Sequence, residues 1–228
     1  MVLWHANNVG RIKAILLLGP TGVGKSPLGD MIASQGLLGR ICHHLDFGAE
    51  LRRALSGGEY SAPYNTNELD FIRGVLERGL LLENEHFPLA EKIISLFLRR
   101  VFFSSANLLI LNGIPRHEGQ ARSLERTVHV TAVIVLDCSA TDIWCRIESN
   151  VGGDRTERID DTADLIEKKL LIFRERTTPL VHYYEKEDCR IYRIPVTSRM
   201  NPEESYKMLS SLAAAHPPVA LVAEPPER

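Results

Sequence analysis

Short, largely apolar runs at 15–18, 41–45, 108–111, 130–136 and 191–195 punctuate the chain, and the stretches between them carry apolar residues at helical spacing. Strands that read as near-continuous apolar runs are buried on both faces, which a parallel sheet covered by helices requires. The pattern predicts an α/β fold with a five-stranded parallel sheet flanked by helices. Between the second and third runs lie about sixty residues with helical spacing at Leu69, Ile72, Val75 and Leu76, more than a plain crossover needs. A small helical subdomain over 47–83 is expected there. No internal repeat appears at any fixed period. After Leu212 the chain reads AAAHPPVALVAEPPER, with four prolines and no period. This composition predicts a folded domain over 11–212 and a flexible tail over 213–228.

The first apolar run leads into GPTGVGKS, in which Gly19, Gly24, Lys25 and Ser26 match G-x-x-x-x-G-K-[ST] at every fixed position. Such a loop wraps its backbone N–H groups around phosphate oxygens at a helix N-terminus. Gly19, Pro20, Thr21, Gly22, Val23 and Gly24 therefore read as the phosphate cradle. Lys25 reads as the cation that reaches the β and γ phosphates, and Ser26 as a magnesium ligand. ATP and Mg2+ are the implied cofactors. Pro27 disfavours helical geometry at Ser26, although a proline in the first turn loses no helical hydrogen bond.

Composition narrows the partners. Lys+Arg total 27 against Asp+Glu 29, a net charge of −2, so no field of one sign draws in nucleic acid or an acidic membrane. The N-terminal MVLWHANNVGRIK lacks the basic and apolar regions of an export signal, and no run is long enough to span a bilayer. Cys42, Cys138, Cys145 and Cys189 form no C-x-x-C pair. These features point to a reduced, cytoplasmic protein, a monomer, acting on a small molecule.

Four further stretches make the chain resemble the adenylate kinase family of nucleoside monophosphate kinases, in that family's order. DFGAELRRAL at 46–55 is similar to the T-G-D-x-L-R segment, with Gly48, Leu51 and Arg52 in matching places. NGIPRHEGQ at 112–120 is similar to D-G-F-P-R-x-x-x-Q and keeps Gly113, Pro115, Arg116 and Gln120. DIWCRIESN at 142–150 resembles the helix leading to the lid, with Arg146 at an arginine position. RIDDTADLIEKKLLIFRERTTPLVHYYEKE at 158–187 resembles R-x-D-D followed by a long helix and T-x-P-L-x-x-Y-Y. The segment between, at 149–158, resembles the short-lid subgroup.

The resemblance implies a P-loop kinase fold, with 47–83 binding the acceptor monophosphate, and transfer of a phosphoryl group from ATP to a nucleoside monophosphate, most simply AMP. It assigns Arg52 and Arg116 to the acceptor phosphate, Gln120 to the acceptor base, and Gly48 and Gly113 to the same substrate. It also implies that Arg146 and Arg158 swing onto the transferred group with the lid. Lys25, Arg116 and Arg158 would then be catalytic. Lys169 stands where the family has another phosphate-binding arginine, keeping the charge but losing the planar fork. Asn150 falls near a further lid arginine, so either Arg155 substitutes for it or the site has one cation fewer. Asp46 and Phe47 replace the two residues before the glycine of T-G-D, which bears on base specificity.

The apolar run at 108–111 ends at Asn112, where the family carries the aspartate that holds magnesium through its waters. Asp46, at the end of the neighbouring second run, is the nearest source of the missing charge, and equally a helix cap. Asp46 also keeps open a P-loop kinase of a small-molecule alcohol, with Asp46 as general base. A nucleotide-binding sensor without turnover is the third possibility. His43 and His44 read as structural, because neighbours on a strand face opposite layers. Tyr183, Tyr184 and Phe173 read as core, and Glu167 and Lys168 as a solvated helix face.

Overall fold

The computed structural model describes residues 11–153 and 162–221. Five parallel strands, β1 (Ile12–Leu18), β2 (Cys42–Asp46), β3 (Leu108–Asn112), β4 (Val128–Asp137) and β5 (Arg190–Pro195), form one sheet in the order β2-β3-β1-β4-β5. Helix α1 (Lys25–Gln35) follows β1. Between β2 and β3 come α2 (Phe47–Ala54), α3 (Gly58–Ser61), α4 (Thr66–Arg78) and α5 (Phe87–Arg100). Then follow α6 (Glu118–Leu124), α7 (Ala140–Ser149), α8 (Ala163–Ile172), α9 (Pro179–Lys186) and α10 (Pro202–Ala215). This is the α/β architecture that the apolar runs predict.

Strand parity divides the interior into two layers. Ala14, Leu16 and Leu18 of β1, with Leu109 and Leu111 of β3, face a core built with α2, α4, α5 and α9. Ile15 and Leu17, with Leu108 and Ile110, face α1 and α10 through Leu28, Ile32, Leu209 and Ala213. The same parity puts His44, Asp46 and Asn112 on the α1 side, at the carboxyl ends of their strands. In parallel sheets that edge is where the crevice opens.

The helices between β2 and β3 are held by polar pairs as well as by apolar contacts. Asn65 caps α4 in a reciprocal box with Glu68, and Glu68 also takes both its carboxylate oxygens to Lys92 of α5. Glu50 of α2 is buried, and Arg100 of α5 meets it with two parallel bonds of 2.9 and 2.6 Å. This pair fixes α2, and with it Arg52, against α5.

The folded chain does not stop at 212. Helix α10 continues to Ala215, and Ala213 and Leu221 are buried. Tyr192 donates to the carbonyl of His216 at 2.6 Å, and Lys13 to that of Ala220 at 2.7 Å. The small residues that suggested a loose tail are instead what lets the segment lie close to β5 and β1. Residues 222–228 lie outside the described residues, as do 154–161, which hold most of the expected lid with Arg155 and Arg158. Asn150 ends α7 in the left-handed conformation, φ 46°, a place where asparagine is favoured for its backbone geometry. No helix among the described residues is long and apolar enough to cross a membrane.

The Glu50–Arg100 pair yields a stability test. Removing Arg100 leaves a buried carboxylate with, among the described residues, only the longer 3.5 Å contact to Arg53. Because Arg100 is partly exposed, Arg100→Ala is expected to cost about 2 kcal/mol, less than a fully buried pair. Arg53→Ala is expected to cost under about 0.5 kcal/mol. The urea unfolding midpoints of the two variants check both values.

Candidate active site

The glycine-rich loop joins β1 to α1 as the motif requires. Gly24 precedes α1 with φ 102°, and a Cβ there would sit 2.9 Å from the Arg146 guanidinium. A Cβ on Gly22, φ 83°, would sit 2.7 Å from Ile147. Both glycines are thus needed for conformation and for closeness to α7. The Val23 side chain is buried in the core beneath the loop rather than in the cleft. Lys25 donates to the carbonyls of Gly19 and Pro20 at 2.7 Å each, so its ammonium lies across the mouth of the cradle. Phosphate oxygens arriving there would exchange for those carbonyls.

Opposite the lysine, the ends of three elements meet. Ser26 of α1 donates to Asp46 Oδ2, and Asn112 Nδ2 lies 3.1 Å from that same oxygen and 3.1 Å from Ser26 Oγ. The other oxygen of Asp46, Oδ1, accepts from the backbone N–H of Ala49 at 2.9 Å and caps α2. The cap and the position beside the P-loop serine are therefore not alternatives. One carboxylate does both, with one oxygen each.

A single cleft is lined by Gly19, Thr21, Gly22, Gly24, Lys25 and Ser26 on one side, and by Gly48, Arg52, Gly113, Arg116, Gln120 and Lys169 on the other. Arg116 is fixed through its backbone. Its N–H donates to Gln120 Oε1 at 2.7 Å and its carbonyl accepts from Thr177 Oγ1 at 2.9 Å. No described carboxylate pairs with its guanidinium, and burial alone pulls its pKa down to about 10. It remains a cation at neutral pH, preorganised and without a compensating anion among the described residues. Arg52, in the last turn of α2, likewise has no described hydrogen-bond or ion-pair partner.

Gln120 is buried and serves first as a strut. Besides accepting from Arg116, it donates to the carbonyl of Leu82 at 2.7 Å. One amide hydrogen and one lone pair remain for a substrate. Leu82 also receives His117 Nε2 at 3.1 Å, which ties the 79–82 wall of the cleft to α6.

Arg146 of α7 reaches the P-loop, where a Cβ on Gly24 would meet its guanidinium. It is buried, and it donates to the carbonyls of Thr197 and Met200 at 2.7 and 2.6 Å and to that of Gly22 at 3.4 Å. These carbonyls belong to the P-loop and to the β5–α10 connection, so the guanidinium stands beside the nucleotide loop. Phe173 departs from its expected core place. It opens a π-helical segment, Phe173–Thr177, marked by the bond from Thr178 N to the Phe173 carbonyl, and it lines the cleft. The inserted residue rotates the helix face locally, a feature that periodicity in the sequence does not report. Tyr183 and Tyr184 are buried as expected. Glu167 and Lys168 are exposed as expected, and Lys168 also donates to the carbonyl of Arg78.

The sequence reading missed His44. His43 packs against Phe103, with ring centroids 5.6 Å apart, but His44 turns to the site. Its Nδ1 lies 2.8 Å from Asp30 and its Nε2 3.3 Å from Asn112 Nδ2. The signal was present in two spacings, because His44 and Asp46 are two apart on a strand and Ser26 and Asp30 four apart on a helix.

Comparison with known proteins agrees with this geometry. No family model matches the chain. UMP-CMP kinase 1 of Oryza sativa subsp. japonica is 26% identical over 179 residues, 77% of this chain, and the chain spans 65% of that protein's length, just under two thirds. The adenylate kinase of Gemmatimonas aurantiaca is 24% identical over 229 residues, covering 87% of this chain and 98% of that one. In fold, the chain is similar to the crystal structure of a sugar kinase from Janibacter sp. HTCC2649, with a TM-score of 0.52 and 15% identity over 90% of this chain and 96% of the other. The adenylate kinase of Nitrobacter hamburgensis is 30% identical over 188 residues, 75% of this chain and 79% of that protein. With its P-loop, its paired cleft arginines and this extent of shared sequence, the chain belongs to the adenylate kinase family.

Proposed function

We propose that the protein transfers the γ-phosphoryl group of ATP to the phosphate of a nucleoside monophosphate, most simply AMP, giving ADP and the corresponding nucleoside diphosphate. The observation that carries this reading is Arg116, a backbone-locked guanidinium without a described anionic partner, in the same cleft as the P-loop. Phosphoryl transfer spreads negative charge over the moving group, so positioned cations do most of the catalytic work. Lys25 would hold the β and γ phosphates, while Arg116 and Arg52 would orient the acceptor phosphate. Lys169, also lining the cleft, would add charge at its rim. Arg158 is proposed to close on the transferred group. Gln120 keeps one amide hydrogen for the base. The apolar wall of Val75, Leu76, Leu80 and Leu81 would cover the face of that base.

The oxygen pair of Ser26 and Asp46 fits a hard divalent cation, which favours oxygen ligands and a nearby carboxylate. Magnesium bound there would neutralise phosphate charge. An alcohol-phosphorylating enzyme could use the same Asp46 as a base, but an acceptor without charge would leave Arg116 uncompensated.

The direct test is formation of ADP from ATP and magnesium across AMP, CMP, UMP, GMP, their deoxy forms and a set of sugar alcohols. Turnover of a monophosphate is expected, and turnover of an alcohol alone would reject the reading. Binding of ATP with no turnover anywhere would favour a sensor.

Arg116 gives a sharper measurement. An ammonium cannot reproduce two parallel N–H bonds to a phosphate, so Arg116→Lys is expected to lose about 10²-fold in kcat/KM, close to the loss in Arg116→Ala. Steady-state kinetics of both variants decide this, and a fully active lysine variant would remove Arg116 from the site.

Asp46→Asn keeps a helix-capping side chain but removes the charge. Its magnesium requirement is expected to rise about 10-fold, with little change in thermal midpoint. Moving the charge back, in Asp46→Asn combined with Asn112→Asp, is expected to recover most of the loss. Magnesium titrations of ATP binding, compared among the three proteins, check the exchange.

A further inference from the structure

We infer that His44 is a positioning residue for the metal side of the site, acting through the side-chain amide of Asn112. The inference rests on the Ser26–Asp46 metal site proposed above, but not on the identity of the acceptor.

Asn112 Nδ2 has two hydrogens and three acceptors within reach: Asp46 Oδ2 and Ser26 Oγ at 3.1 Å, and His44 Nε2 at 3.3 Å. An amide can equally turn its oxygen toward its neighbours, and only hydrogen bonding decides which end faces where. An oxygen turned toward the Asp46 carboxylate would oppose it with a second acceptor. A ring nitrogen that accepts from the amide selects the N–H end and stops the flip. His44 can do this only when its own hydrogen sits on Nδ1, where Asp30 lies 2.8 Å away to receive it. The Asp30 carboxylate thus sets the tautomer, the tautomer takes one amide hydrogen, and the amide's other hydrogen is aimed between the two oxygens that would face magnesium.

Two features of the chain show that this arrangement is built in. The His44 side chain is only 4% exposed although its polar partner Asp30 is in solvent, so the ring is held from inside. Gly29, in the middle of α1, is where the ring passes: a Cβ there would sit 2.3 Å from His44 Nε2. Glycine in a helix interior costs about 1 kcal/mol relative to alanine, and here the imidazole occupies the vacated space.

The test is binding of Mn2+ in the presence of ATP and without any acceptor, followed by electron paramagnetic resonance, together with ATP affinity in EDTA and the thermal midpoint. His44→Leu is expected to weaken Mn2+ in the ternary complex about 10-fold, as changes to residues behind metal ligands do, while metal-free ATP affinity stays within about twofold. His44→Gln, whose amide oxygen can accept from Asn112, is expected to recover most of the loss. Asp30→Ala, on an exposed side chain that the fold does not need, is expected to weaken Mn2+ about threefold, the size of an exposed ion-pair contribution. Should His44→Leu fold poorly, Asp30→Ala decides by the same measure. The inference is overturned if Mn2+ binding is unchanged in these variants, if metal-free ATP affinity falls in the same proportion, or if glutamine is no better than leucine. A wild-type protein that binds ATP and Mn2+ but phosphorylates no monophosphate would overturn the proposed reaction and leave the His44 result standing.

Discussion

Parallel pairing of β2, β3 and β1 sets Asp46 beside Asn112 and Asn112 beside Leu17, and the site depends on that register. Because side chains alternate across a strand, sliding β2 by one residue would put Asp46 into the apolar layer under α2 and bring Leu45 to the crevice. The register is protected by the two cores, since every residue of β1 and β3 from 14 to 18 and 108 to 111 is buried on one face or the other. Stability far from the chemistry thereby fixes a carboxylate against the P-loop serine to within hydrogen-bonding distance.

Charge in the cleft is divided in space. Lys25, Arg52, Arg116 and Lys169 stand along its walls, and Asp46 is the acidic side chain among its lining residues. Burial of the Arg116 guanidinium, which pulls its pKa down to about 10, favours an anion beside it. Phosphates arriving there gain because fixed cations need not reorganise when charge develops. The Lys25 ammonium, resting on two carbonyls of its own loop, is the exception, as it must exchange partners on binding.

The sheet and the P-loop were legible from sequence because each has a local cause: apolar runs for the strands, and a glycine, lysine and serine spacing for the cradle. The places of Arg52 and Arg116 followed from matched neighbours in order along the chain. What was not legible depends on contacts between distant segments. The carbonyls that hold Arg146 come from residues 22, 197 and 200, far apart along the chain. Gln120 becomes a strut because Leu82, thirty-eight residues away, presents a carbonyl to it. The segment after 212 has little periodicity, and its order comes from β1 and β5, to which Lys13 and Tyr192 bind it.

Asn112 looks like a lost charge only if each strand is considered alone. Asp46 and Asn112 are register neighbours on the same face, and the next strand is about 4.8 Å away, so a carboxylate moved from β3 to β2 stays in the same crevice. Aspartate at both positions would set two like charges at about the 3.1 Å that now separates amide from carboxylate, and one of them would have to take up a proton. An amide at 112 avoids this and supplies the donor that Asp46 and Ser26 need. The move also changes what the carboxylate is attached to. A carboxylate at 112 would lead into the Gly113–Arg116 turn, whereas Asp46 is followed at once by α2 and caps it with its second oxygen. The metal side of the donor nucleotide and the helix that carries Arg52 are then joined through one side chain, so that a shift of either must pull on the other.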